Sequence, residues 1–256
     1  MTLPLPAAFL LLPLAHRGLH DVSDGRPENS RAAVRAAIAA GYGIEIDLQL
    51  SADGRAMVFH DNNLDRLAKA SGPIRNLSRD QARDIALKHG DGEGIPDLSE
   101  VLEIVDGQVP LLIEIKDQDG QLGPDVGRLE QATSEALRDY DGPVAVMSFN
   151  PHSVAQMARL APDVPRGIVT SAYDPQEWGL AEDICDALRQ IPDFTRVEAS
   201  FISHEVEDLP RAVVQKMREQ GVPILCWTVK SEVEETVARA FADNVTFEGY
   251  LSALPA

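Results

Sequence analysis

Cysteine, aromatic residues and basic charge are all scarce in this chain of 256 residues, 5% of which are aromatic. The two cysteines, Cys185 and Cys226, provide neither a disulfide framework nor the CxxC spacing of a structural zinc site. Because Cys226 lies in an apolar run, we expect a buried, reduced thiol. The chain has 23 lysines and arginines against 41 aspartates and glutamates, a net charge of −18. A nucleic-acid partner is therefore not expected, and an anionic substrate would need a local group of cations.

Long apolar runs are also missing from the sequence. No stretch reaches the roughly 18–20 apolar residues of a membrane span, so we expect no stable membrane insertion. The apolar segment 9–14 has no lysine or arginine before it, whereas a signal peptide carries positive charge in front of its apolar part. We therefore predict a cytoplasmic protein and assign Leu14 and Ala15 to the first strand. The oligomeric state is left open.

Hydrophobic residues make up 44% of the chain, which is enough for one well-packed core. Short apolar runs alternate with helical patterns, as is typical of α/β proteins with a parallel sheet. Strands are predicted at 12–17, 43–50, 109–116, 144–149, 167–171, 196–202, 224–229 and 244–247. Helices are predicted at 30–40, 78–87, 98–105, 125–140, 151–160, 208–220 and 231–242. The first of these is capped by Asn29 or Ser30 and ended by Gly41.

Eight strands separated by helices predict a (β/α)8 barrel. An open doubly wound sheet is the alternative, weakened because no GxGxxG or GxxxxGK loop follows an early strand. We predict one catalytic domain over residues 1–256, interrupted at 61–109 by an insertion over the barrel mouth. Such insertions either decorate the fold or shape the substrate pocket, and the sequence leaves both open.

Acidic residues alternate with aliphatic ones on the second predicted strand, so that Glu45 and Asp47 share one face. Both faces of a parallel sheet are covered in an α/β fold, so we expect these carboxylates to point into the barrel. Glu114 and Lys116 share a face of the next strand in the same way. Three inward carboxylates match the oxygen ligands of Mg²⁺ or Ca²⁺. The alternative is a simple ion pair of Glu114 with Lys116, but one lysine cannot balance three acids.

An Asp53-Gly54 pair predicts a hairpin between the second strand and residues 55–61, because Asp-Gly is a preferred two-residue type I′ turn. With a two-residue loop, Asp47 lies directly opposite His60 and their side chains share a face. The hairpin is therefore expected to bring a histidine to the carboxylates.

His16 and Arg17 end the first predicted strand, where (β/α)8 enzymes place catalytic groups. His16 and His60 can serve as general acid and base near neutral pH. Arg17 offers a planar donor fork for a phosphate and Lys116 a point charge. These residues together predict metal-assisted hydrolysis of a phosphate ester.

Short motifs carry a wider similarity over residues 12 to about 249. They are His16-Arg17-Gly18, Pro27-Glu28-Asn29-Ser30, Glu45-x-Asp47, Asp53-Gly54, Val58-Phe59-His60-Asp61, Ile95-Pro96-x-Leu98, Glu114-Ile115-Lys116, Ser148-Phe149 and Trp227-Thr228-Val229. In order and spacing they resemble the glycerophosphodiester phosphodiesterase family. The chain departs from the family in the last predicted strand and just after it, where Thr246-Phe247-Glu248-Gly249 replaces a usual Thr-Asp-x-Pro.

The resemblance implies a (β/α)8 barrel with a small inserted subdomain. It further implies hydrolysis of a small glycerophosphodiester, such as glycerophosphocholine, to glycerol 3-phosphate and an alcohol. The implied site comprises Glu45, Asp47 and Glu114 as ligands of one divalent cation (Mg²⁺ or Ca²⁺), His16 and His60 as acid and base, and Arg17, Lys116, Glu28 and Asn29 around the substrate. His16 is assigned as the acid and His60 as the base, with the reverse left open. Trp227 lines the glycerol side of the pocket or belongs to the core.

Two other functions are compatible with the same residues. A lysophospholipase D acting on lipid-tailed diesters would need a long apolar groove, but the insertion has only scattered aliphatic residues. A non-catalytic barrel that binds a phosphate ligand would need a damaged site, whereas both histidines and all three acids are present. The alcohol headgroup and the choice of metal are not determined by the sequence.

Overall fold

A computed structural model describes residues 3–255, and within them nine strands form one sheet that closes on itself. The strands are β1 (Leu14–Ala15), β2 (Gly43–Leu50), β3 (Ala56–Val58), β4 (Leu111–Ile115), β5 (Val144–Ser148), β6 (Arg166–Thr170), β7 (Phe201–Glu205), β8 (Ile224–Val229) and β9 (Asn244–Phe247). All pairs are parallel except β2 with β3, and β1 pairs with both β2 and β9. The structure therefore confirms the predicted eight-stranded parallel barrel, with β3 as an extra strand.

The helices in the described part of the chain are α1 (Ala8–Leu11), α2 (Arg31–Ala40), α3 (Arg79–Asp84), α4 (Leu98–Val105), α5 (Arg128–Leu137), α6 (Pro151–Leu160), α7 (Pro175–Trp178), α8 (Glu182–Leu188), α9 (Ala212–Glu219) and α10 (Glu232–Ala238). The ends of α2 follow from its sequence. Ser30 Oγ accepts a hydrogen bond from the Ala33 N–H at 3.0 Å, and Gly41 ends the helix in the left-handed region at φ 80°. No helix within residues 3–255 is long and apolar enough to cross a bilayer.

One strand was misplaced by sequence patterning. The prediction at 196–202 is wrong, because residues 192–198 form turns and β7 begins at Phe201. The sequence does not reveal this strand, because β7 carries polar residues on both faces and so lacks an alternation of apolar and polar residues. Ser203 points into the barrel, and His204 is buried on the outer face against Thr170, with Nδ1 and Oγ1 2.7 Å apart. The short helices α7 and α8 were not predicted.

The hairpin differs from the predicted one by a single residue. Ser51 N donates to Arg55 O at 2.9 Å and its Oγ accepts from Arg55 N at 2.8 Å, which leaves a three-residue loop with Gly54 at φ 77°. The predicted pairing of Asp47 with His60 is therefore wrong. Phe59 N donates to Asp47 O at 3.0 Å instead, and His60 follows the end of β3.

The segment after β3 builds a small core of its own. Its buried members are Met57, Phe59, Leu64, Ala68, Ile74, Ala82, Leu87 and Ile95. Helix α4, by contrast, packs its buried residues into the main core between barrel and helices. The buried aliphatic residues between Leu64 and Ile95 are thus used for packing within this segment. The domain limits 1–256 and 61–109 stay predictions.

The barrel interior is divided into two levels. At the amino-terminal end, which we call the base, Leu14, Leu112, Phe201 and Leu225 form an apolar cluster that Phe9 of α1 covers from below. A Cβ on Gly167 would lie 2.4 Å from the Phe201 ring, so only glycine leaves room for this aromatic residue. At the carboxyl-terminal end, the mouth, the inward positions are largely polar.

Candidate active site

Three carboxylates meet at the mouth because adjacent parallel strands hold them in register. Asp47 of β2 lies beside Glu114 of β4, and Glu45 lies one inward position below Asp47. One oxygen atom from each lies within 4.8 Å of the other two, and all three residues are at most 7% exposed. This arrangement agrees with the oxygen-ligand set expected for a hard divalent cation.

Two cations face these acids but do not neutralise them. Lys116 Nζ lies 2.8 Å from Asp47 Oδ1 and 2.7 Å from Glu114 Oε1, and the Arg17 guanidinium lies 3.3 Å from Asp47 Oδ2. Among the described residues, Glu45 receives a single hydrogen bond, from the Arg17 backbone N–H at 3.0 Å. Buried carboxylates in excess of their cations are costly unless a further cation binds, so the donor set fits a divalent metal better than a closed ion pair.

The pKa values of the acids reflect this imbalance. Burial and the neighbouring Asp47 and Glu114 charges raise the pKa of Glu45 well above its usual range, and burial also raises the pKa of Glu114. Burial opposes ionisation of Asp47 as well. However, the surrounding positive groups, Lys116 foremost, hold the pKa of Asp47 below its usual range. Negative charge is therefore concentrated on the carboxylate that Lys116 and Arg17 both face.

The Pro-Glu-Asn-Ser motif before α2 supports the site from behind. Glu28 accepts a hydrogen bond from Arg17 Nη1 at 2.7 Å, and Asn29 donates to Asp47 Oδ2 at 2.8 Å while Ser30 caps α2. Asn29 is 1% exposed and adopts a left-handed backbone at φ 56°. Glu28 and Asn29 thus contact Arg17 and Asp47, and their contact with substrate stays a prediction.

The first histidine ends β1 and is held by a carboxylate from the neighbouring strand. His16 Nδ1 donates to Glu248 Oε2 at 2.6 Å. Glu248 directly follows β9, which pairs with β1, so barrel closure brings the two together. Gly18 makes the tight turn possible, because its φ is 77° and a Cβ would lie 2.9 Å from Ala33.

The second histidine repeats this arrangement with a neighbour in sequence. His60 Nδ1 donates to Asp61 Oδ1 at 2.7 Å, and Arg66 contacts the same carboxylate at 2.7 Å. A carboxylate on Nδ1 fixes the ring and leaves Nε2 free for chemistry, as in His–Asp pairs of hydrolases. Despite the wrong hairpin register, the loop after β3 brings His60 to the carboxylates.

Burial shifts the pKa of both imidazoles downward. Burial lowers the pKa of His16 against the hydrogen bond to Glu248, and burial together with the Lys116 charge lowers the pKa of His60 to about 4. The hydrogen bond from His16 and the nearby His20 hold the pKa of Glu248 well below its usual range. A neutral His60 beside an ionised Asp47 is suited to accept a proton.

One cavity of about 190 Å³ joins these groups to an aromatic wall. Its polar side includes His16, Arg17, Glu45, His60, Glu114 and Lys116. Its apolar side includes Phe149, Trp178 and Trp227, whose rings meet edge to face at centroid distances of 4.8 and 5.5 Å. Trp227 is only partly buried, and its Nε1 donates to Ser203 O at 3.1 Å. A small polar molecule with an apolar face fits such a cavity.

The structure adds groups that sequence patterning missed. Glu248 and Asp61 hold the two imidazoles, and Phe149 and Trp178 complete the aromatic wall. Asp61 could have been found from its position next to His60. For Glu248 the signal was weaker: two-residue alternation continues the inward face of β9 from Thr246 to Glu248. No comparable signal marks Trp178, which reaches the cavity from α7.

Comparison with known proteins agrees with this geometry. A model of the Glycerophosphoryl diester phosphodiesterase family matches residues 16–247. A glycerophosphodiester phosphodiesterase of Caldanaerobacter subterraneus is 29% identical over 244 residues, which are 91% of this chain and 92% of the relative. Glycerophosphodiester phosphodiesterase 1 of Homo sapiens is 31% identical over 178 residues, 66% of this chain and 50% of the relative.

Solved structures show the same fold. A phosphodiesterase of Oleispira antarctica, solved in complex with the product sn-glycerol-3-phosphate, superposes with a TM-score of 0.76 at 25% identity, covering 94% of both chains. A glycerophosphodiester phosphodiesterase of Thermotoga maritima superposes with a TM-score of 0.68 at 22% identity, covering 93% of this chain and 94% of the other. The latter similarity supports the fold alone.

Proposed function

We infer the reaction from one premise: the chain belongs to the Glycerophosphoryl diester phosphodiesterase family, and it is an enzyme that hydrolyses glycerophosphodiesters. The motif-based resemblance is thereby confirmed. We propose that glycerol 3-phosphate and an alcohol are the products. The observation that supports this most directly is the single cavity that joins two imidazoles, two of the three carboxylates and two cations to an aromatic wall.

We propose that Glu45, Asp47 and Glu114 hold one divalent cation, Mg²⁺ or Ca²⁺. When bound there, such a cation would withdraw negative charge from the phosphoryl oxygens as a Lewis acid. Arg17 and Lys116 lie at the same cavity and would contact the remaining phosphoryl oxygens. Arg17 is preorganised for this because Glu28 and Asp47 fix its guanidinium, so little reorganisation is needed as charge develops.

The two histidines are proposed to move the protons. His60, neutral and oriented by Asp61, would take a proton from the attacking hydroxyl at Nε2. His16 would act in its protonated form, with Nδ1–H held and its charge stabilised by Glu248, and would give its Nε2 proton to the leaving alkoxide. The attacking hydroxyl belongs either to water or to the glycerol of the substrate. Since both rings are held in the same way, the reverse assignment would use the same contacts.

The aromatic wall is proposed to receive the glycerol moiety. Trp227 and Phe149 present carbon surface opposite the charged side of the cavity, where they would exclude water from the phosphate. A long lipid tail finds less support, because Leu64, Ile74 and Leu87 of the insertion are buried in its own core. We therefore favour small glycerophosphodiesters over the lipid-tailed substrates of a lysophospholipase D.

Choline release from glycerophosphocholine, measured with Mg²⁺, Ca²⁺, Mn²⁺ or a chelator, tests the proposal. We expect turnover that needs one of the cations and falls at least ~100-fold in His16→Ala and in His60→Ala, the usual scale for loss of an acid or base. His152→Ala, on α6, is the matched control and should retain wild-type turnover. Release from lysophosphatidylcholine at an equal or higher rate would favour the lipid substrate. Full activity of both site variants would refute the histidine assignment.

A further inference from the structure

A second group of metal-binding side chains lies beside the proposed acid, outside the three carboxylates. It consists of His16, His20 and Glu248, one ligand atom of each lying within 4.8 Å of the others. His20 lies at neither strand end and takes no part in the proposed reaction. We propose that these three residues form an inhibitory site for Zn²⁺.

The three residues meet at the seam of the barrel, by which we mean the junction of its first and last strands, β1 and β9. His16 N donates to Phe247 O at 2.9 Å, which aligns the ends of β1 and β9 and places Glu248 next to His16. The turn through Gly18 then reverses the chain, and His20 N donates to Gly18 O at 2.9 Å. As a result, the His20 ring returns to the same carboxylate, with Nε2 at 3.5 Å from Glu248 Oε2.

The His20 ring has a nitrogen atom that is available to bind a metal ion. Its Nε2 atom is buried and has no hydrogen-bond partner among the residues that the structure describes. Glu248 Oε2 faces both histidines, while Oε1 lies 3.6 Å from the exposed Lys230 Nζ. A metal ion bound between the imidazoles would share this oxygen in place of the His16 hydrogen bond.

The donor atoms of His16, His20 and Glu248 favour a different metal from the one that the three carboxylates favour. Two imidazoles and one carboxylate are a ligand set of zinc enzymes, with a fourth position left for water. Tetrahedral Zn²⁺ with bonds of about 2.0–2.1 Å separates its ligand atoms by about 3.4 Å. The 3.5 Å from His20 to Glu248 already fits, whereas the 2.6 Å hydrogen bond from His16 would have to open as its proton is replaced. Mg²⁺ prefers an all-oxygen site, so it is not expected to compete for the two imidazoles.

Zinc at this site would inhibit the enzyme, and this consequence rests on the proposed role of His16. A His16 ring with Nδ1 bound to metal loses the carboxylate contact that stabilises its protonated form. It can then no longer deliver a proton to the leaving alkoxide. Binding itself does not depend on that role. Carboxylate-bound Mg²⁺ and zinc at the seam are expected to be bound at the same time.

The test uses the whole protein with saturating Mg²⁺ and added ZnCl₂. Choline release from glycerophosphocholine and zinc retained in equilibrium dialysis are compared for the wild type, His20→Ala, His20→Asn and the control His152→Ala. We expect the wild type and the control to retain one more zinc per chain than the His20 variants. The zinc concentration for half inhibition should rise at least about tenfold in the His20 variants, since loss of even an outer partner of a metal costs about 10–100-fold. Their activity with Mg²⁺ alone should stay near wild type, and a chelator should reverse the inhibition.

Equal zinc retention and equal inhibition in the wild type and both His20 variants would overturn the site. Zinc retained through His20 without inhibition would overturn its inhibitory role. If the wild type has no Mg²⁺-dependent activity at all, the proposed function fails, but the retained zinc still decides whether the site exists. The Glu114→Gln variant further separates the proposed function from the proposed zinc site: it should lose activity and still retain zinc at the seam.

Discussion

The base and the mouth of the barrel are built from the same strands and have opposite compositions. On β4, Leu112 points into the base and Glu114 into the mouth, two residues apart. The base is filled with apolar side chains and covered by α1, whereas the mouth holds three buried carboxylates. Apolar burial stabilises the fold, while buried charge opposes folding unless it is paired. Apolar packing is thus concentrated in one half of the interior and the proposed active site in the other.

The largest change in the free energy of unfolding is expected from a substitution in the base. Phe9 is fully buried and packs under the strands, so Phe9→Ala is expected to lower the free energy of unfolding by about 3–5 kcal/mol. Activity measured well below the melting temperature should change little. Urea unfolding and choline release on the same samples check both statements. Leu11→Ala, on the same helix at 62% exposure, is the matched control. Equal losses in the two variants, or an inactive folded Phe9→Ala, would break the division between base and mouth.

The mouth should show the reverse behaviour. Glu45→Gln removes one proposed metal ligand, and we expect turnover to fall at least ~100-fold, since metal stabilisation of the transition state is worth several kcal/mol. In chelator, the free energy of unfolding should stay the same or rise by ~1 kcal/mol, because a buried unpaired carboxylate becomes neutral. Glu103→Gln on the exposed face of α4 controls for the lost charge. A strongly destabilised Glu45→Gln would show that the carboxylate holds the fold together.

A smaller change in the free energy of unfolding is expected from a substitution where the base and the mouth meet. Ser203 points inward from β7, and its buried hydroxyl has no hydrogen-bond partner within the described residues. Ser203→Ala removes this desolvated group and should raise the free energy of unfolding by roughly 1 kcal/mol. Thermal and urea midpoints provide the measurement, with Ser134→Ala on the exposed side of α5 as control. A destabilised Ser203→Ala would mean that the hydroxyl is satisfied by bound water.

The smallest expected effect is on the pH dependence of stability, and it comes from a histidine on the outer face of the barrel. Burial lowers the pKa of His204 below its ordinary value of 6.5, against the nearby Asp208. The unfolded chain therefore binds more protons at this residue than the folded one just below pH 6.5, so its contribution to stability is lost as pH falls through that range. Urea midpoints between pH 7.5 and 5 should fall less in His204→Gln than in the wild type. An equal fall in both proteins would contradict the prediction, and turnover should not distinguish them.

Local patterning was sufficient for most of the fold. Ser30 and Gly41 bound α2 as their side-chain chemistry predicts, and the two-residue alternation of β2 and β4 placed all three acids on the inward face. It failed where partners distant in sequence decide the outcome. β7 was misplaced because the partner of His204, Thr170, comes from β6. The hairpin register was wrong because the Ser51 hydroxyl, bonding Arg55 N and Asp53, lengthened the loop by one residue.

By itself, the sequence determined that the acids of β2 and β4 share the inward face, because side-chain type and two-residue alternation are local properties. It also determined that the strands are parallel and alternate with helices. Only the tertiary structure decided which groups act together. Barrel closure joins the two ends of the chain, so that Glu248 meets His16 and His20 across more than 200 positions. Such pairings depend on the path of the whole chain in space, which no local pattern specifies.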